Sequence, residues 1–221
     1  MPEIRQTILE YKLEDDLPLS YGRKLRGFFA NKFNDVLFHN HKKDDNFRYS
    51  YPLIQYKILN GNPFIIGIDE GAMLIVNNFL DIDKMTLDDK LYEEPEGVIK
   101  MKNETILAGE DSFKYKFITP WHGLNQKNFK KYKNMDRKKE QDDFLNSILI
   151  GNILSFAKGI DWWVEEEIII DVNLEEIPVY YKNNKMQGFK GEFTSNIKLP
   201  DYIGLGKSVS RGFGTVKKAD L

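Results

Sequence analysis

Apolar and polar residues alternate over much of 4–13, and that period of two predicts a first strand. Asp16-Leu17-Pro18-Leu19-Ser20 then supplies turn and capping chemistry. From 21 to 33 the period changes: Leu25, Phe28, Phe29 and Phe33 recur at helical spacing, with Arg and Lys on the other side. Residues 36–41 read as a short extended or loop segment and 48–59 as a strand. Asn60-Gly61-Asn62-Pro63 is a hairpin signal, so 64–68 returns as the partner strand. Residues 70–79 look helical despite Gly71. Two weaker strands follow at 97–101 and 105–108, with Lys102-Asn103-Glu104 turning between them.

The first half therefore runs β-α-β-β-α-β, the ferredoxin-like pattern. Gly109-Glu110-Asp111-Ser112 marks a boundary between two domains, 1–109 and 110–221. Beyond it, Phe113, Tyr115 and Phe117 alternate with Lys114 and Lys116, which predicts a strand over 113–119. A long helix is predicted over 137–158, its apolar face carrying Phe144, Ile148, Ile153, Leu154 and Phe156. Strands follow at 167–172, 178–182, 186–197 and 213–216, two of them joined by a turn at Asn183-Asn184-Lys185. This half also opens β-α-β-β, but a glycine-rich loop stands where its second helix belongs. The fold class expected is α+β, two tandem ferredoxin-like (RRM-like) domains, the second with a glycine-rich loop in place of a helix.

The absence of cysteine excludes disulfides and thiolate metal sites, and only three histidines argue against a histidine-rich one. No cofactor and no metal are expected. There is no apolar run of ~20 residues to span a membrane and no signal-peptide core, so a cytoplasmic protein is expected. A net charge of −2 would not by itself select a nucleic-acid binder, but its distribution does. Basic residues gather at Arg23 to Lys32, at Lys42, Lys43 and Arg48, from Lys127 to Lys139 and from Lys207 to Lys218. Acidic ones gather elsewhere, at Glu93 to Glu96, Glu165 to Glu167, and Glu175 and Glu176. Each run alone reads as a solvated face; the segregation of signs points to a charged groove.

The loop near the end of the chain gives that groove an occupant. Gly204, Gly206, Gly212 and Gly214 bracket Lys207, Ser208, Ser210 and Arg211. Glycine lets a backbone approach a ligand and expose its N–H groups, while the cations and hydroxyls add donors for phosphate oxygens. Gly206-Lys207-Ser208 imitates the end of a nucleotide P-loop, but that motif needs a further glycine where Asp201 stands, and a helix must follow it. A nucleotide-binding protein is thereby disfavoured, and an RNA backbone is the expected ligand.

Phe38-His39-Asn40-His41 carries two histidines. At i and i+2 of an extended segment they share a face, with Cα atoms ~6.5–7 Å apart, close enough to flank one phosphate. RNA cleavage without metal needs a base for the ribose 2′-hydroxyl and an acid for the leaving 5′-oxygen, and histidine, with a pKa near ~6.5, suits both. Lys32, Lys42, Lys43 and Arg48 are candidates to stabilise the phosphorane charge. Tyr49 can orient a histidine or donate to the phosphate. His122, in Trp121-His122-Gly123, reads as a structural residue at a strand end. Trp162-Trp163 reads as core.

Together these motifs resemble a known family. Gly204-Leu205-Gly206, five residues, then Gly212-Phe213-Gly214 is similar to the glycine-hydrophobic-glycine pattern at the C-terminus of the RAMP superfamily of CRISPR systems. His39-Asn40-His41 with Arg48-Tyr49-Ser50-Tyr51-Pro52-Leu53-Ile54-Gln55-Tyr56-Lys57 resembles the N-terminal half of CRISPR-associated endoribonucleases that cut precursor CRISPR RNA. Thr119-Pro120-Trp121 and Leu124-Asn125 resemble the opening of that family's second domain. The resemblance implies tandem ferredoxin-like domains and metal-independent cleavage within each repeat, leaving 2′,3′-cyclic phosphate and 5′-hydroxyl ends. It puts the catalytic set at His39, His41, Tyr49 and Lys32, with the roles of the two histidines left open. It puts RNA binding at Lys42, Arg48 and the loop residues. The partner implied is CRISPR repeat RNA, with other CRISPR effector subunits as further partners, and the protein as monomer or homodimer. Relatives that only grip RNA share the glycine loop, so a non-catalytic effector subunit is the competing expectation.

Overall fold

The computed structural model describes residues 2–33, 35–39, 51–181 and 184–219, with His39, Tyr180, Tyr181, Asn184 and Lys185 as backbone alone. The chain forms two compact units. The first comprises Glu3–Glu104 with Val209–Gly212; the second comprises Thr105–Ser208 with Phe213–Leu221 and Met1–Pro2.

The first unit runs β1 (Glu3–Lys12), a 3-10 turn at Leu19–Tyr21, α1 (Gly22–Lys32), α2 (Val36–His39), β2 (Ile54–Leu59), β3 (Asn62–Ile68), α3 (Glu70–Asn78), the hairpin β4 (Lys84–Leu87) and β5 (Lys90–Glu93), and β6 (Glu96–Thr105). Its sheet has the order β2-β3-β1-β6. β3 pairs antiparallel with β2, from Ile54↔Gly67 to Leu59↔Asn62, and with β1, from Gln6↔Ile68 to Glu10↔Phe64. The β2–β3 turn has φ of 49° at Asn60 and 76° at Gly61, the doubly left-handed geometry that Asn-Gly favours. α1 sends Leu25 and Phe29 into one buried cluster with Leu9, Tyr11, Ile54, Tyr56 and Ile65 of the sheet. β2 is buried on both faces, because Gln55 and Lys57, which alternate with the apolar residues, are 0% exposed.

Three features of this unit depart from the pattern of the sequence. Residues 36–39 are helical, not extended, because Asp35 Oδ1 accepts the Leu37 N–H at 2.8 Å and the Asp35 carbonyl accepts from Phe38 at 3.2 Å. β2 starts at Ile54, after Tyr51-Pro52-Leu53, and not at 48. Lys102-Asn103-Glu104 makes no turn but lies inside β6, whose residues are mostly exposed, so burial does not impose an alternation on it.

The second unit runs β7 (Leu107–Trp121), α4 (Gln126–Lys133), α5 (Lys138–Gly159), β8 (Ile170–Tyr181), β9 (Asn184–Lys198) and β10 (Val216–Lys218), in a sheet of order β10-β7-β9-β8. In both units the first strand lies between the third and the fourth, and the second takes the far edge beside the third. The fold is thus α+β, two tandem ferredoxin-like units, the second with a glycine-rich loop between β9 and β10; the 3-10 turn at Val209–Arg211, within that loop's sequence, is counted with the first unit. Cross-strand aromatic pairs fill this core: Tyr115 opposes Phe193 with ring centroids 5.3 Å apart, and Trp121 opposes Phe189 at 5.7 Å.

Here too the sequence pattern needs correction. The predicted strands at 167–172 and 178–182 form one strand, β8; Pro178 is tolerated because β8 is an edge. Gly109–Ser112 lies inside β7, at a register irregularity between Ala108 and Phe113. The last strand is Val216–Lys218 and not 213–216. α5 buries Leu145, Leu149, Ile153 and Phe156, while Leu154 is exposed; adjacent apolar pairs such as Ile148-Leu149 and Ile153-Leu154 left its inward face ambiguous. Trp163 is 84% exposed and is not core. No helix of the described residues is long and apolar enough to cross a membrane.

Candidate active site

α1 carries its apolar residues inward and ends at Lys32, whose Nζ lies 3.3 Å from Asp83 Oδ1. That hydrogen bond holds the Asp83 carboxyl below its ordinary range. Lys24, two turns earlier, pairs with Asp88 of the β4–β5 connection. At the other end of α1, a Cβ on Gly22 would sit 2.6 Å from the Arg211 carbonyl oxygen and 3.1 Å from that of Tyr56. Only glycine lets the Val209–Arg211 turn approach both the start of α1 and the edge of β2. Gly212 completes the contact, since its Cβ would lie 3.2 Å from the Tyr56 carbonyl and 3.3 Å from the Lys57 Cα.

Phe38, the residue before the candidate histidines, is fastened to the same strand. Phe38 is buried and packs on Phe33 at 4.9 Å and on Phe29 at 6.1 Å between ring centroids. The Tyr56 hydroxyl donates to the Phe38 carbonyl at 3.3 Å, immediately before His39; burial pushes that hydroxyl's pKa up and keeps it a donor. His39 ends α2, so the premise that it shares an extended face with His41 fails on its side. His41, Lys42, Lys43, Arg48 and Tyr49 lie outside the described residues. Where the chain is described again, Tyr51 is buried and Gln55 Nε2 donates to its hydroxyl at 2.8 Å and to the Pro52 carbonyl at 3.2 Å. Gln55 Oε1 in turn accepts from Lys57 Nζ at 2.9 Å. β2 therefore grips the chain at 38 and again at 51–52. The sequence named Gln55 and Lys57 only as part of a stretch resembling the family and did not single them out for this role.

The glycine-rich loop differs from its expectation in one respect. Four of its backbone N–H groups are used internally rather than offered outward. Leu205 donates to the Gly214 carbonyl at 2.9 Å, Lys207 to His122 at 2.9 Å, Gly212 to Val209 at 3.2 Å, and Gly214 to Pro120 at 2.8 Å. The glycines serve close packing first: φ is 94° at Gly206, 95° at Gly212 and 63° at Gly214, and a Cβ on Gly214 would lie 1.9 Å from the Leu205 carbonyl. Gly204 bridges Thr215. Of the loop's polar side chains, Lys207 is exposed, and Ser208, Ser210 and Arg211 are half-buried. Beneath it His122 is buried, stacked on Phe213 with centroids 4.3 Å apart and planes 12° from parallel, and its Nε2 has no hydrogen-bond partner. Burial, with Lys207 nearby, pushes this imidazole down to about 4, so it is neutral near pH 7. Among the described residues no three histidine or carboxylate side chains come together to hold a metal.

Comparison with known proteins fixes the lineage. Residues 2–105 match the model of the Cas6b N-terminal domain and residues 107–219 that of the Cas6b C-terminal domain. The chain belongs to the Cas6b family. A crystal structure of a Cas6b is 37% identical, covers 99% of this chain and all of its own, and superposes with a TM-score of 0.91. A second Cas6b, described as a CRISPR RNA processing endoribonuclease, is 36% identical with a TM-score of 0.79, again over 99% of this chain and all of the other. An uncharacterised protein of Methanocaldococcus jannaschii is 41% identical over 142 residues, 64% of this chain and 96% of its own. Csf5, a type IV CRISPR-Cas Cas6 crRNA endonuclease, is only 12% identical but shares the fold across 99% of this chain and all of its own, with a TM-score of 0.58.

Proposed function

We propose that this Cas6b chain is an endoribonuclease that cuts precursor CRISPR RNA within its repeats, without a metal, by general acid–base catalysis. The observation that carries the reading is full-length similarity to a Cas6b described as a CRISPR RNA processing endoribonuclease. The chemistry follows from the candidate residues. One of His39 and His41 takes the proton of a ribose 2′-hydroxyl, and the 2′-oxygen attacks the adjacent phosphorus. The other gives a proton to the 5′-oxygen as its bond to phosphorus breaks. The products are a 2′,3′-cyclic phosphate and a 5′-hydroxyl. Lys32 and Tyr49 stabilise charge on the phosphorane oxygens, Lys42 and Arg48 hold the RNA beside them, and Lys207 with Arg211 grips the strand from the loop. In this division of labour residues 1–109 do the chemistry and 110–221 hold substrate, in the cytoplasm and as a monomer or homodimer.

The second reading, a non-catalytic RNA-gripping subunit, draws on the loop, which serves binding and not cleavage. One experiment separates the two. Labelled repeat RNA incubated with pure protein in excess EDTA is expected to be cut, and His39→Ala and His41→Ala are each expected to slow single-turnover cleavage by roughly 10²-fold with near-native RNA affinity. Intact RNA at all times, with tight binding, selects the second reading. Activity lost in EDTA and restored by Mg²⁺ refutes the metal-free mechanism.

A further inference from the structure

Lys24, Gly27, Phe28 and Asn31 fall at i, i+3, i+4 and i+7 of α1, one stripe along the helix. With Lys32 they form one wall of a cleft of about 560 Å³, and Thr86 of β4 with Asp88 of the β4–β5 connection forms the other. All of these residues belong to the first unit. Both walls are anchored, since Leu25 and Phe29 of α1 and Met85 and Leu87 of β4 are buried in one core cluster. Gly27 leaves the floor of the cleft without a side chain. It stands in the helix interior outside the left-handed region, and a Cβ there would meet no atom within 4 Å. Neither conformation nor packing requires a glycine that weakens the helix relative to alanine.

Size, charge and polarity decide what the cleft can hold. Seven lining residues make a site for one small group, whereas a protein partner takes ~20–30 residues a side. Its lysines are balanced: Lys24 pairs with Asp88, and Lys32 Nζ lies 3.3 Å from Asp83 Oδ1. A cleft so neutralised suits an uncharged group better than a phosphate. Phe28 supplies an aromatic ring, half-buried and set edge-on to Phe29 with centroids 5.5 Å apart. Among the described residues the exposed Asn31 amide and Thr86 hydroxyl make no side-chain hydrogen bond, so water satisfies them until a ligand does. A nucleobase has the matching form, with flat apolar faces and a polar edge, and single-stranded RNA is commonly held by stacking its bases on aromatic side chains. The carboxamide narrows the choice, because its adjacent donor and acceptor complement adenine N7 and N6–H. We propose that this cleft is a base subsite for one unstacked adenine of the RNA strand, stacked on Phe28 and read at its edge by Asn31, with Thr86 as a second polar contact. Lys32 follows Asn31 directly, so on the endoribonuclease reading this adenine belongs to a nucleotide beside the cut. That placement rests on the reading; binding of the base does not.

The test titrates the full chain with short 2′-O-methyl oligonucleotides of A, U or C alone, which lack the 2′-hydroxyl needed for cleavage, and with adenosine monophosphate. The parent is expected to bind the A oligomer roughly 10-fold more tightly than the U or C oligomer, the scale of one good bidentate base contact. Gly27→Leu fills the floor of the cleft and Asn31→Leu removes the amide. Each is expected to erase the preference by weakening binding of the A oligomer alone. Gly27→Leu is expected to melt no lower than the parent, since leucine is the better helix former and its Cβ enters open space. The Asn31 side-chain NH₂ signal in NMR is expected to move on adding the A oligomer and to stay in place with U. Equal affinities of the parent for all three oligomers would overturn the proposal. So would an A preference that survives both variants, or a loss equal for all three. Adenosine monophosphate bound as tightly as the A oligomer would make the occupant a free nucleotide and overturn the RNA assignment. Repeat RNA cut and bound by Gly27→Leu as by the parent removes the subsite and leaves the endoribonuclease reading standing. A cleft-dependent A preference in a protein that cuts no RNA does the reverse. Should Gly27→Leu fail to fold, Asn31→Leu, at an exposed position, carries the same readouts.

Discussion

The two units share a strand order but fill the passage from third to fourth strand with opposite materials. In the first, β3 leads into α3, which is held by the buried side chains of Ala72 and Ile75. In the second, β9 leads into the glycine-rich loop, which is held by backbone meeting backbone: four internal N–H···O bonds and three glycines at positive φ. A helix fastened by side chains spreads its energy over many small contacts. A loop fastened by its own main chain has no room to spare at any of them. The largest expected effect follows directly. Gly214→Val would force a Cβ to within 1.9 Å of the Leu205 carbonyl at a left-handed φ, and the second unit is expected to lose its cooperative thermal transition. Met73→Ala, on the more exposed face of α3, is expected to shift stability by less than about 1 kcal/mol. A Gly214→Val protein that melts cooperatively near the parental temperature would show that the loop yields, and the contrast would be gone.

Among the described residues each unit also buries one basic side chain, and these differ in what they touch. Lys57 has Gln55 as partner, while His122 has a stacked ring on one side and an Nε2 without a partner. Burial lowers both pKa values, so in both cases stability is lost as pH falls from the unfolded towards the folded value. For Lys57 the window runs from about 10.5 down to about 7. Lys57→Met is therefore expected to be more stable than the parent below pH 7, by on the order of 4 kcal/mol, with the difference vanishing above pH 10.5. Urea denaturation of both proteins at pH 6, 8 and 10.5 reads this. An equal or lower stability of the variant at pH 6 would mean that the amine contributes more as a hydrogen-bond donor than its burial costs.

For His122 the window lies lower, from about 6.5 to about 4. His122→Phe retains a ring to stack on Phe213, so the parent is expected to lose on the order of 3 kcal/mol relative to the variant between pH 6.5 and 4. Parallel pH–stability curves for the two proteins would place the His122 ring in water in solution.

These contrasts also mark what a sequence can reveal. The helices α1 and α3 and the Asn60-Gly61 turn were legible because side-chain period and turn chemistry are local properties. The absence of an α-helix between β9 and β10 was legible for the same reason. Less legible was anything decided by burial at a distance. Gln55 and Lys57 sit at polar positions of an alternating strand, and nothing local says that this face is buried as well. The short helix at 36–39 depends on one Asp35 carboxylate, a cap that outweighs a sequence reading of extended chain. The loop was legible as a composition but not as a mechanism, since whether a glycine serves a ligand or a neighbouring carbonyl is settled only by what lies within about 3 Å of its Cα hydrogens.

The smallest expected effect tests that last distinction. With its N–H groups at 205, 207, 212 and 214 committed internally, the loop has side chains to offer RNA, chiefly the exposed Lys207. Each phosphate contact through a cation releases condensed counterions, and its loss flattens the dependence of log affinity on log salt by about 0.7 for single-stranded RNA. Lys207→Ala is expected to remove one such contact, and Arg211→Ala, half-buried beside Gly22, another of similar size. Affinity measured from low to moderate salt should therefore converge with that of the parent as salt rises, since the lost term is the salt-sensitive one. A uniform drop in affinity at every salt concentration points instead to damage of the loop's packing, as Gly212→Val is expected to cause. An unchanged slope and affinity in Lys207→Ala/Arg211→Ala would leave the loop as a structural plug whose glycines answer to Leu205, Tyr56 and His122 alone.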